Sequence, residues 1–191
     1  MGIQNEVNSY LESIDFYKLP EPSAKEDWDG YFMRVAVLVS ERSSCLHRKV
    51  GAVIVREKRI LATGYNQPPS NFPHCDQIGC IRDVLGIKSG EHQEVCFGLH
   101  AEQNALMQAA KFGISTKDAI IYVTHQPCSI CARLIINSGI RKVIFKNPYP
   151  DELTKFFFSK TGVETICWVN NEEHNKSGGV SRCLLPSTLI I

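Results

Sequence analysis

The sequence predicts an α/β fold in which helices cover both faces of a mixed sheet of about five strands, a three-layer α-β-α sandwich. Two observations predict it. Segments with helical and with strand periodicity alternate along the chain, and 43% of its 191 residues are hydrophobic, which is enough for a buried core. The passages from helix to strand to helix to strand require right-handed crossovers, and therefore parallel pairing in part of the sheet.

The first part of the domain is predicted to be a helix followed by a β-hairpin. Trp28, Phe32 and Val35 recur at helical spacing, which predicts a buried helix from about residue 27 to 43. Two β-rich runs lie within residues 49–64 and are separated by the charged turn "REKR", which is typical of a hairpin.

In the second half of the domain, three helices alternate with three strands. Gly162 ends the last helix and lies before the last strand. The helices are predicted at 101–112, 129–137 and 151–161, and the strands at 119–124, 141–145 and 163–169.

Three segments lie outside this regular pattern. Residues 1–26 are a polar, proline-punctuated extension with a short helix predicted over 5–16. Residues 67–97 form a Cys-rich insertion that begins dense in Pro, Asn and Gly and has a short helix predicted in its second half. Residues 171–191 are a C-terminal tail without a structural assignment, so the domain is predicted to span 27–170.

Composition excludes several classes of function. The chain has 21 basic and 20 acidic residues, which gives no electrostatic footprint for long nucleic acids or anionic membranes. No apolar run approaches the roughly 20 residues that span a bilayer, and the N-terminus lacks a secretory signal. We therefore expect a cytoplasmic protein with no membrane partner, whose eight cysteines are buried thiols or metal ligands rather than a disulfide framework.

The stretch "GLHAEQNALMQAA" places His100 and Glu102 where a helix begins, and there the free backbone N–H groups make the dipole positive. Taken alone, this pattern predicts only an acidic residue that complements the dipole, beside a histidine in the core. A second stretch, "THQPCSICARLIINSGI", places Cys128 and Cys131 at the start of the next helix, directly after a strand. Such a pair is also found in thioredoxin-like redox sites and in half of a zinc knuckle, but the chain shows no thioredoxin-type unit.

The two motifs together predict one metal site. The helices belong to a helix–strand–helix unit, which brings both helix N-termini to the same edge of the sheet. One histidine and two cysteines leave the fourth tetrahedral position open, which is typical of a catalytic rather than a structural zinc ion. Glu102 then faces the open position and moves a proton between water and substrate.

This H-x-E…P-C-x-x-C pattern is the signature of zinc nucleobase deaminases. Over roughly residues 27–170, the chain resembles the cytidine/deoxycytidylate deaminase superfamily, and "HAEQNA" with "PCSICARLIINSGI" is most similar to its deoxycytidylate (dCMP) deaminase branch. "VGAVIV", "ILATGYN", "YVTHQPCSICA", "GIRKVIF" and "YPDE" follow in the family's order. The resemblance implies a cytidine-deaminase-like fold and hydrolytic deamination of dCMP to dUMP and ammonia, supplying dUMP for thymidylate synthesis.

The resemblance also implies roles for individual residues. His100, Cys128 and Cys131 would bind a catalytic zinc ion, and Glu102 would be the catalytic proton shuttle. Substrate-binding roles would fall to Asn66 of "GYN", to the backbone N–H of Ala101 and to Tyr149, which matches a family aromatic near the ring or sugar.

Two further positions, one arginine and one glutamine, bear on the expected nucleotide pocket. Arg42 is a candidate for the 5′-phosphate, with a solvated helix face as the alternative. The chain departs from the branch at Gln67, where a glycine is usual, and this affects the expected shape of the nucleotide pocket.

Some dCMP deaminases carry a second, structural zinc ion, and the remaining cysteines suggest one here. Cys45 and Cys75 stand where its first two ligands would be, and Cys80 and Cys96 could complete the shell, with His92 as a substitute. The alternative is a set of small buried hydrophobic residues. We expect Cys167 and Cys183 to be packing residues.

The resemblance further implies a homo-oligomer, commonly a hexamer, with dCTP as activator and dTTP as inhibitor, and with Mg²⁺ accompanying the nucleotide effector. Four alternatives remain at this point: a tRNA adenosine deaminase, a deaminase of free cytidine, a deaminase of a modified cytosine nucleotide, and a catalytically idle zinc module. The intact Glu102 argues against the last, because a structural site has no use for that carboxylate.

Overall fold

A computed structural model describes residues 2–13, 26–88 and 90–169. It contains one five-stranded sheet with the strand order β2-β1-β3-β4-β5. The central strand β3 pairs antiparallel with β1 and parallel with β4, and β5 adds a further parallel strand at one edge. The strands are β1 (Gly51–Arg56), β2 (Arg59–Tyr65), β3 (Ile120–His125), β4 (Lys142–Asn147) and β5 (Glu164–Cys167).

The helices follow the alternation that the sequence predicts. They are α1 (Gly2–Ser13), α2 (Trp28–Ser40), α3 (Cys75–Ile78), α4 (Ile81–Val84), α5 (Ala101–Lys111), α6 (Ser129–Asn137) and α7 (Glu152–Thr161). Among the described residues, no helix is both long enough and apolar enough to cross a bilayer. The predicted three-layer α/β fold with a mixed five-stranded sheet is confirmed.

Two packed layers of side chains account for the sandwich. On one face of the sheet, Phe32, Met33 and Ala36 of α2 pack on Val53 and Tyr122, and all five are at most 2% exposed. On the opposite face, α5, α6 and α7 bury a second and larger set of residues against the same strands. Successive side chains of β1 and β3 point to opposite faces of the sheet and so contribute to both cores. This explains why both strands are apolar along most of their length.

The hairpin and the extension differ in detail from the sequence prediction. Glu57 and Lys58 form the turn with φ values of 51° and 60°, and this twist suits a two-residue hairpin. Helix α2, predicted to run from about residue 27 to 43, ends at Ser40. Helix α1 begins at Gly2, three residues earlier than the predicted start at residue 5. The predicted end of that helix at residue 16, the tail 171–191 and Cys183 lie outside the described residues.

The insertion is held together by short turns of helix rather than by one helix. Helices α3 and α4 lie in its first half, and a single 3₁₀ turn at Gln93–Val95 replaces the short helix predicted in its second half. Gln67 and Leu99 exchange two backbone hydrogen bonds, of 3.2 and 2.8 Å, and so close the neck of the insertion. This pairing needs no positive φ at residue 67, which explains how a glutamine replaces the usual glycine there.

Gly64 allows helix α5 to lie directly on strand β2. A Cβ atom at this glycine would be 2.3 Å from the carbonyl oxygen of Ala101 and 2.3 Å from the amide nitrogen of Ala105. No side chain fits in that space, so the glycine sets the distance between the hairpin and the start of α5. The side chain of Asn104 adds a hydrogen bond of 2.8 Å to the carbonyl oxygen of Tyr65.

Candidate metal and active site

Two helices begin at the same edge of the sheet, and each begins on a residue with a metal-binding side chain. His100 is the N-cap of α5, and its backbone N–H donates to Oε1 of Gln103 at 2.7 Å. Cys128 is the N-cap of α6, which follows β3 directly. The end of β2, the start of β1 and the end of β3 lie at this edge. Because α5 begins against the end of β2 and α6 follows β3, His100 and Cys128 come together although 28 residues separate them.

The three predicted ligand atoms form a compact triangle. Nδ1 of His100 lies 3.5 Å from Sγ of Cys128 and 3.4 Å from Sγ of Cys131. For zinc bonds of about 2.0–2.1 Å to nitrogen and about 2.3 Å to sulfur at tetrahedral angles, the expected N···S separation is about 3.6 Å. The observed distances therefore fit three corners of a zinc tetrahedron. They also make His100, Cys128 and Cys131 a candidate metal site among the described residues.

The protonation of the two thiols is set by their mutual contact. The pKa of Cys128 is lowered to about 4, chiefly because the thiol of Cys131 donates to its sulfur and also because His100 does. The pKa of Cys131 is raised, first by that same hydrogen bond and then by burial. His100 has a raised pKa because of its bond to Cys128, while the charge of Arg82 acts in the opposite direction. A thiolate is therefore already present at this site at neutral pH.

Glu102 is buried beside these ligands, with 3% of its surface exposed. Burial raises the pKa of its carboxyl group above the usual range, although the charge of His100 opposes the shift. A carboxyl group with a raised pKa holds a proton more readily than an ordinary carboxylate and can pass it on, as a general acid/base requires.

Asp151 connects the starts of α6 and α7. Its Oδ2 accepts from the backbone N–H of Ser129 at 2.9 Å, and its Oδ1 accepts from that of Thr154 at 3.0 Å. The buried Gln126 accepts from the backbone N–H of Tyr149 at 3.2 Å. Sequence reasoning missed the positioning roles of Asp151 and Gln126. A signal for Asp151 is present, because an Asp three residues before Thr154 at a helix start is a typical N-cap.

A cavity of about 460 Å³ opens at the ligand triangle, which suits a small-molecule ligand. His100, Glu102 and Cys128 line it, and so do all three residues that the sequence predicts to bind substrate. These are Asn66, Ala101 and Tyr149. Arg42 is not one of the lining residues within the described chain, whereas Arg48 is.

Asn66 has a structural task in addition to its position in the cavity. Its Oδ1 accepts from the backbone N–H of Val50 at 2.8 Å, and its Nδ2 donates to the carbonyl oxygen of Arg48 at 2.8 Å. This amide therefore fixes the loop before β1 against the cavity. Tyr149 reaches the insertion, because a Cβ atom at Gly90 would lie 2.7 Å from its hydroxyl oxygen.

Four further cysteines also line the same cavity, namely Cys45, Cys75, Cys80 and Cys96. Cys75 is buried, and its pKa is raised by burial and then by the nearby thiols of Cys96, Cys45 and Cys80. The structure thus brings the four sulfur atoms into one neighbourhood. They do not form a group with all ligand atoms within 4.8 Å, whereas His47, Cys80 and Asp83 do so among the described residues. His92 bonds to Glu94 at 3.0 Å.

Comparisons with known proteins find a matching family and several similar sequences. A family model described as MafB19-like deaminase matches residues 26–171. The deoxycytidylate deaminase of Saccharomyces cerevisiae is 38% identical over 163 residues, which cover 85% of this chain and 51% of that protein. ComE operon protein 2 of Bacillus subtilis is 40% identical and covers 71% of this chain and 68% of that protein. The chain thus spans about half the length of the yeast relative.

A solved structure shares the fold. The crystal structure of dCMP deaminase from the cyanophage S-TIM5, in complex with dCMP and dUMP, superposes with a TM-score of 0.60 at 33% identity. It covers 74% of this chain and 97% of that chain. The crystal structure of a diaminohydroxyphosphoribosylaminopyrimidine deaminase/5-amino-6-(5-phosphoribosylamino)uracil reductase from Thermotoga maritima superposes with a TM-score of 0.52 at 26% identity, over 73% of this chain and 36% of that chain.

Proposed function

Because the chain belongs to the cytidine/deoxycytidylate deaminase superfamily, we propose that it catalyses the hydrolytic deamination of dCMP to dUMP and ammonia. The observation that carries the proposal is the triangle of His100, Cys128 and Cys131 with the buried Glu102 beside it. The similar proteins that are named deoxycytidylate deaminase support dCMP as the substrate.

His100, Cys128 and Cys131 would hold zinc, since their donor atoms have the spacing of a zinc tetrahedron. When bound, zinc lowers the pKa of water towards 7 and so supplies a nucleophile at neutral pH. Three protein ligands leave one position for that water, and the adjoining cavity gives substrate access to it.

Glu102 would carry protons in the reaction. It would take one proton of the attacking water and deliver it to N3 of the pyrimidine. It would then take the second proton from the hydroxyl group now on C4 and pass it to the amine, so that ammonia leaves and C4 becomes the carbonyl of dUMP. Its burial and raised pKa support this role, because a carboxylate with a raised pKa is a stronger base towards water and still passes the proton on as the acid. The backbone N–H of Ala101 would hold the pyrimidine carbonyl, since Ala101 lies in the first turn of α5 and lines the cavity.

We assign a structural role to a second zinc ion. Its ligands would come from Cys45, Cys75, Cys80 and Cys96, since the other three thiols are each close enough to raise the pKa of Cys75. An ion there would stabilise the fold of the insertion, which has few buried apolar residues of its own. His47 and Asp83 lie beside Cys80 and are alternative ligands at the same place.

The oligomeric state and the effectors are proposed from family membership, and the cellular location is proposed from the thiols. Family membership supports a homo-oligomer, hexameric by analogy, with dCTP and dTTP as effectors and Mg²⁺ accompanying the bound nucleotide. A cytoplasmic location is supported by the free thiols, which are typical of a reducing compartment. They are Cys45, Cys75, Cys80, Cys96, Cys128 and Cys131.

A substrate panel tests the proposed function. The purified chain is incubated with dCMP, CMP, deoxycytidine, dCTP and tRNA, and release of ammonia is measured with and without a zinc chelator. We expect turnover of dCMP with dUMP as the product, and loss of turnover with the chelator. The variant Glu102→Gln should retain zinc but lower kcat by about 10²- to 10⁴-fold, because the amide cannot carry the proton. Turnover of tRNA adenosine instead of dCMP would contradict the proposal.

A further inference from the structure

The imidazole ring of His100, the proposed zinc ligand, uses one of its two nitrogen atoms at the ligand triangle. Its Nδ1 lies 3.5 Å from Sγ of Cys128 and 3.4 Å from Sγ of Cys131. Within the described part of the chain, no residue forms a hydrogen bond with its Nε2. A metal-bound histidine usually donates this second N–H to a carboxylate, a carbonyl group or water, and this contact fixes the orientation of the ring. We therefore expect the backbone of His100 to set the orientation of its ring.

The backbone around His100 is held from both directions. On the side of the insertion, Leu99 and Gln67 exchange two backbone hydrogen bonds, of 2.8 and 3.2 Å. On the side of α5, the backbone N–H of His100 donates to Oε1 of Gln103 at 2.7 Å. His100 is the N-cap of this helix, with the extended dihedral angles φ −71° and ψ 158°. These angles set the direction of its Cα–Cβ bond relative to the helix, so the contacts on both sides determine where the ring points.

Gln103 is the side chain that contributes to this arrangement, since the pairing of Leu99 and Gln67 involves backbone groups only. It lies in the first turn of α5, is partly buried and does not line the cavity. Among the described residues, its only side-chain hydrogen bond is the one to the backbone N–H of His100. Gln103 is therefore placed to act on the metal ligand and not on the substrate.

A second helix start in this chain has the same arrangement. The backbone N–H of His74 donates to Oε1 of Gln77 at 3.0 Å, and α3 begins at the next residue, Cys75. The stretches "HCDQ" and "HAEQ" thus both place a glutamine three residues after a histidine N-cap. Cys75 is a proposed ligand of the second zinc ion. In both places, a glutamine fixes the helix start that presents a proposed metal ligand, as the glutamine of a capping box does.

We propose that Gln103 is a positioning residue, which holds His100 in the orientation that zinc binding needs. The inference rests on the proposed deaminase function, which makes His100 a ligand of the catalytic zinc ion. The hydrogen bond from His100 to Gln103 restricts the backbone of the ligand before the metal binds, so less conformational entropy is lost on binding. The zinc affinity of the site therefore depends on a side chain that contacts neither the metal nor the substrate.

Protection of Cys128 from alkylation measures zinc binding at this one site. The purified chain is held at a series of buffered concentrations of free Zn²⁺, and peptide mapping gives the alkylation rate of Cys128 at each. The concentration that halves the rate is the dissociation constant of the site. Gln103→Leu should raise this constant by about 10- to 100-fold, the usual effect of losing a group that orients a metal ligand.

Matched variants separate the orientation of the ligand from the stability of the helix. Gln103→Glu keeps an acceptor oxygen at the same place, so it should restore most of the affinity. Gln108→Leu makes the same change at an exposed position of α5 that has no side-chain hydrogen bond among the described residues, and it should leave the constant unchanged within about twofold. Gln103→Asn shortens the side chain by one methylene group and should also weaken binding, which keeps the test decisive if Gln103→Leu does not fold.

Three results would overturn the positioning role. They are an unchanged constant in both Gln103→Leu and Gln103→Asn, an equal weakening in Gln108→Leu, and a weakening that Gln103→Glu does not restore. Absence of zinc protection in the wild type would overturn the role together with the metal site. Because no substrate is present, the proposed function is tested separately: if the constants change as expected while the wild type deaminates no cytosine nucleotide, the positioning role stands and the proposed function fails.

Discussion

At the scale of single residues, the most informative pair is Cys128 and Cys131, which are chemically identical but differ in protonation. One accepts a hydrogen bond from the other, so the pKa of Cys128 is lowered and that of Cys131 is raised. Metal ligation by cysteine needs thiolates, and the fold thus supplies one thiolate before any metal binds.

We predict that the metal-free protein shows this difference in alkylation. Since the pKa of Cys128 is about 4, its thiolate is fully formed above about pH 5, and its alkylation rate should fall only as the pH drops through 4. Cys75, whose pKa is raised, should react faster only at strongly alkaline pH. Peptide mapping by mass spectrometry at a series of pH values measures both rates.

The control for this prediction is Cys131→Ala, which removes the largest cause of the shift and should move the midpoint of Cys128 towards the ordinary thiol value. A midpoint for Cys128 near 8 or 9 in the metal-free wild type would contradict the prediction, as would an alkylation rate that zinc does not reduce.

The site residues that the sequence predicts are those with a local signature. His100, Glu102, Cys128 and Cys131 lie in two short motifs that together predict a metal site. Residues outside these motifs have no such signature. The sequence offers Arg42 as a candidate for the 5′-phosphate, with a solvated helix face as the alternative, and Arg42 does not line the cavity among the described residues.

At the scale of secondary-structure elements, the position of α5 depends on the strand beneath it. Gly64 of β2 lies against the first two turns of α5, where His100 and Glu102 are presented. The elements themselves follow from local signals, since apolar periodicity and Gly162 predict the regular helices and strands. The insertion was less predictable, because α3, α4 and the 3₁₀ turn are each four residues or fewer and carry no readable period.

We predict that Gly64→Ala destabilises the protein and impairs the site together. The added methyl group would overlap the carbonyl of Ala101 and the amide of Ala105, and relief of such overpacking costs about 1–3 kcal/mol. For a domain of this size, Tm should fall by about 2–4 °C per kcal/mol. Thermal unfolding and zinc content measured on the same preparation check both effects.

Gly98→Ala is the matched control for this prediction. A Cβ atom at Gly98 has no neighbour closer than 3.7 Å, so its free energy of unfolding should change by less than about 0.5 kcal/mol. An equal loss of unfolding free energy in Gly64→Ala and Gly98→Ala would show that contact with the backbone of β2 does not fix the position of α5.

At the scale of the whole molecule, the sheet explains why the site lies where it does. The order β2-β1-β3-β4-β5 makes β3 the neighbour of both an antiparallel and a parallel strand. Helix α6 begins where β3 ends, and α5 begins against β2 of the neighbouring hairpin, so both helix starts reach one edge, where residues of the insertion also line the cavity. The alternation of helices and strands predicts this topology, whereas the closure of the cavity by residues 67–97 depends on long-range contacts that no local pattern contains.

The central claim is that one zinc ion bound by α5 and α6 keeps a free position for water in a nucleotide deaminase. Anomalous diffraction at the zinc edge, from crystals of the purified chain, tests it most directly. We predict a peak about 2.0–2.1 Å from Nδ1 of His100 and about 2.3 Å from both sulfur atoms of Cys128 and Cys131, with a solvent molecule as fourth ligand. No peak between these residues, or a fourth protein ligand that closes the shell, would contradict the account.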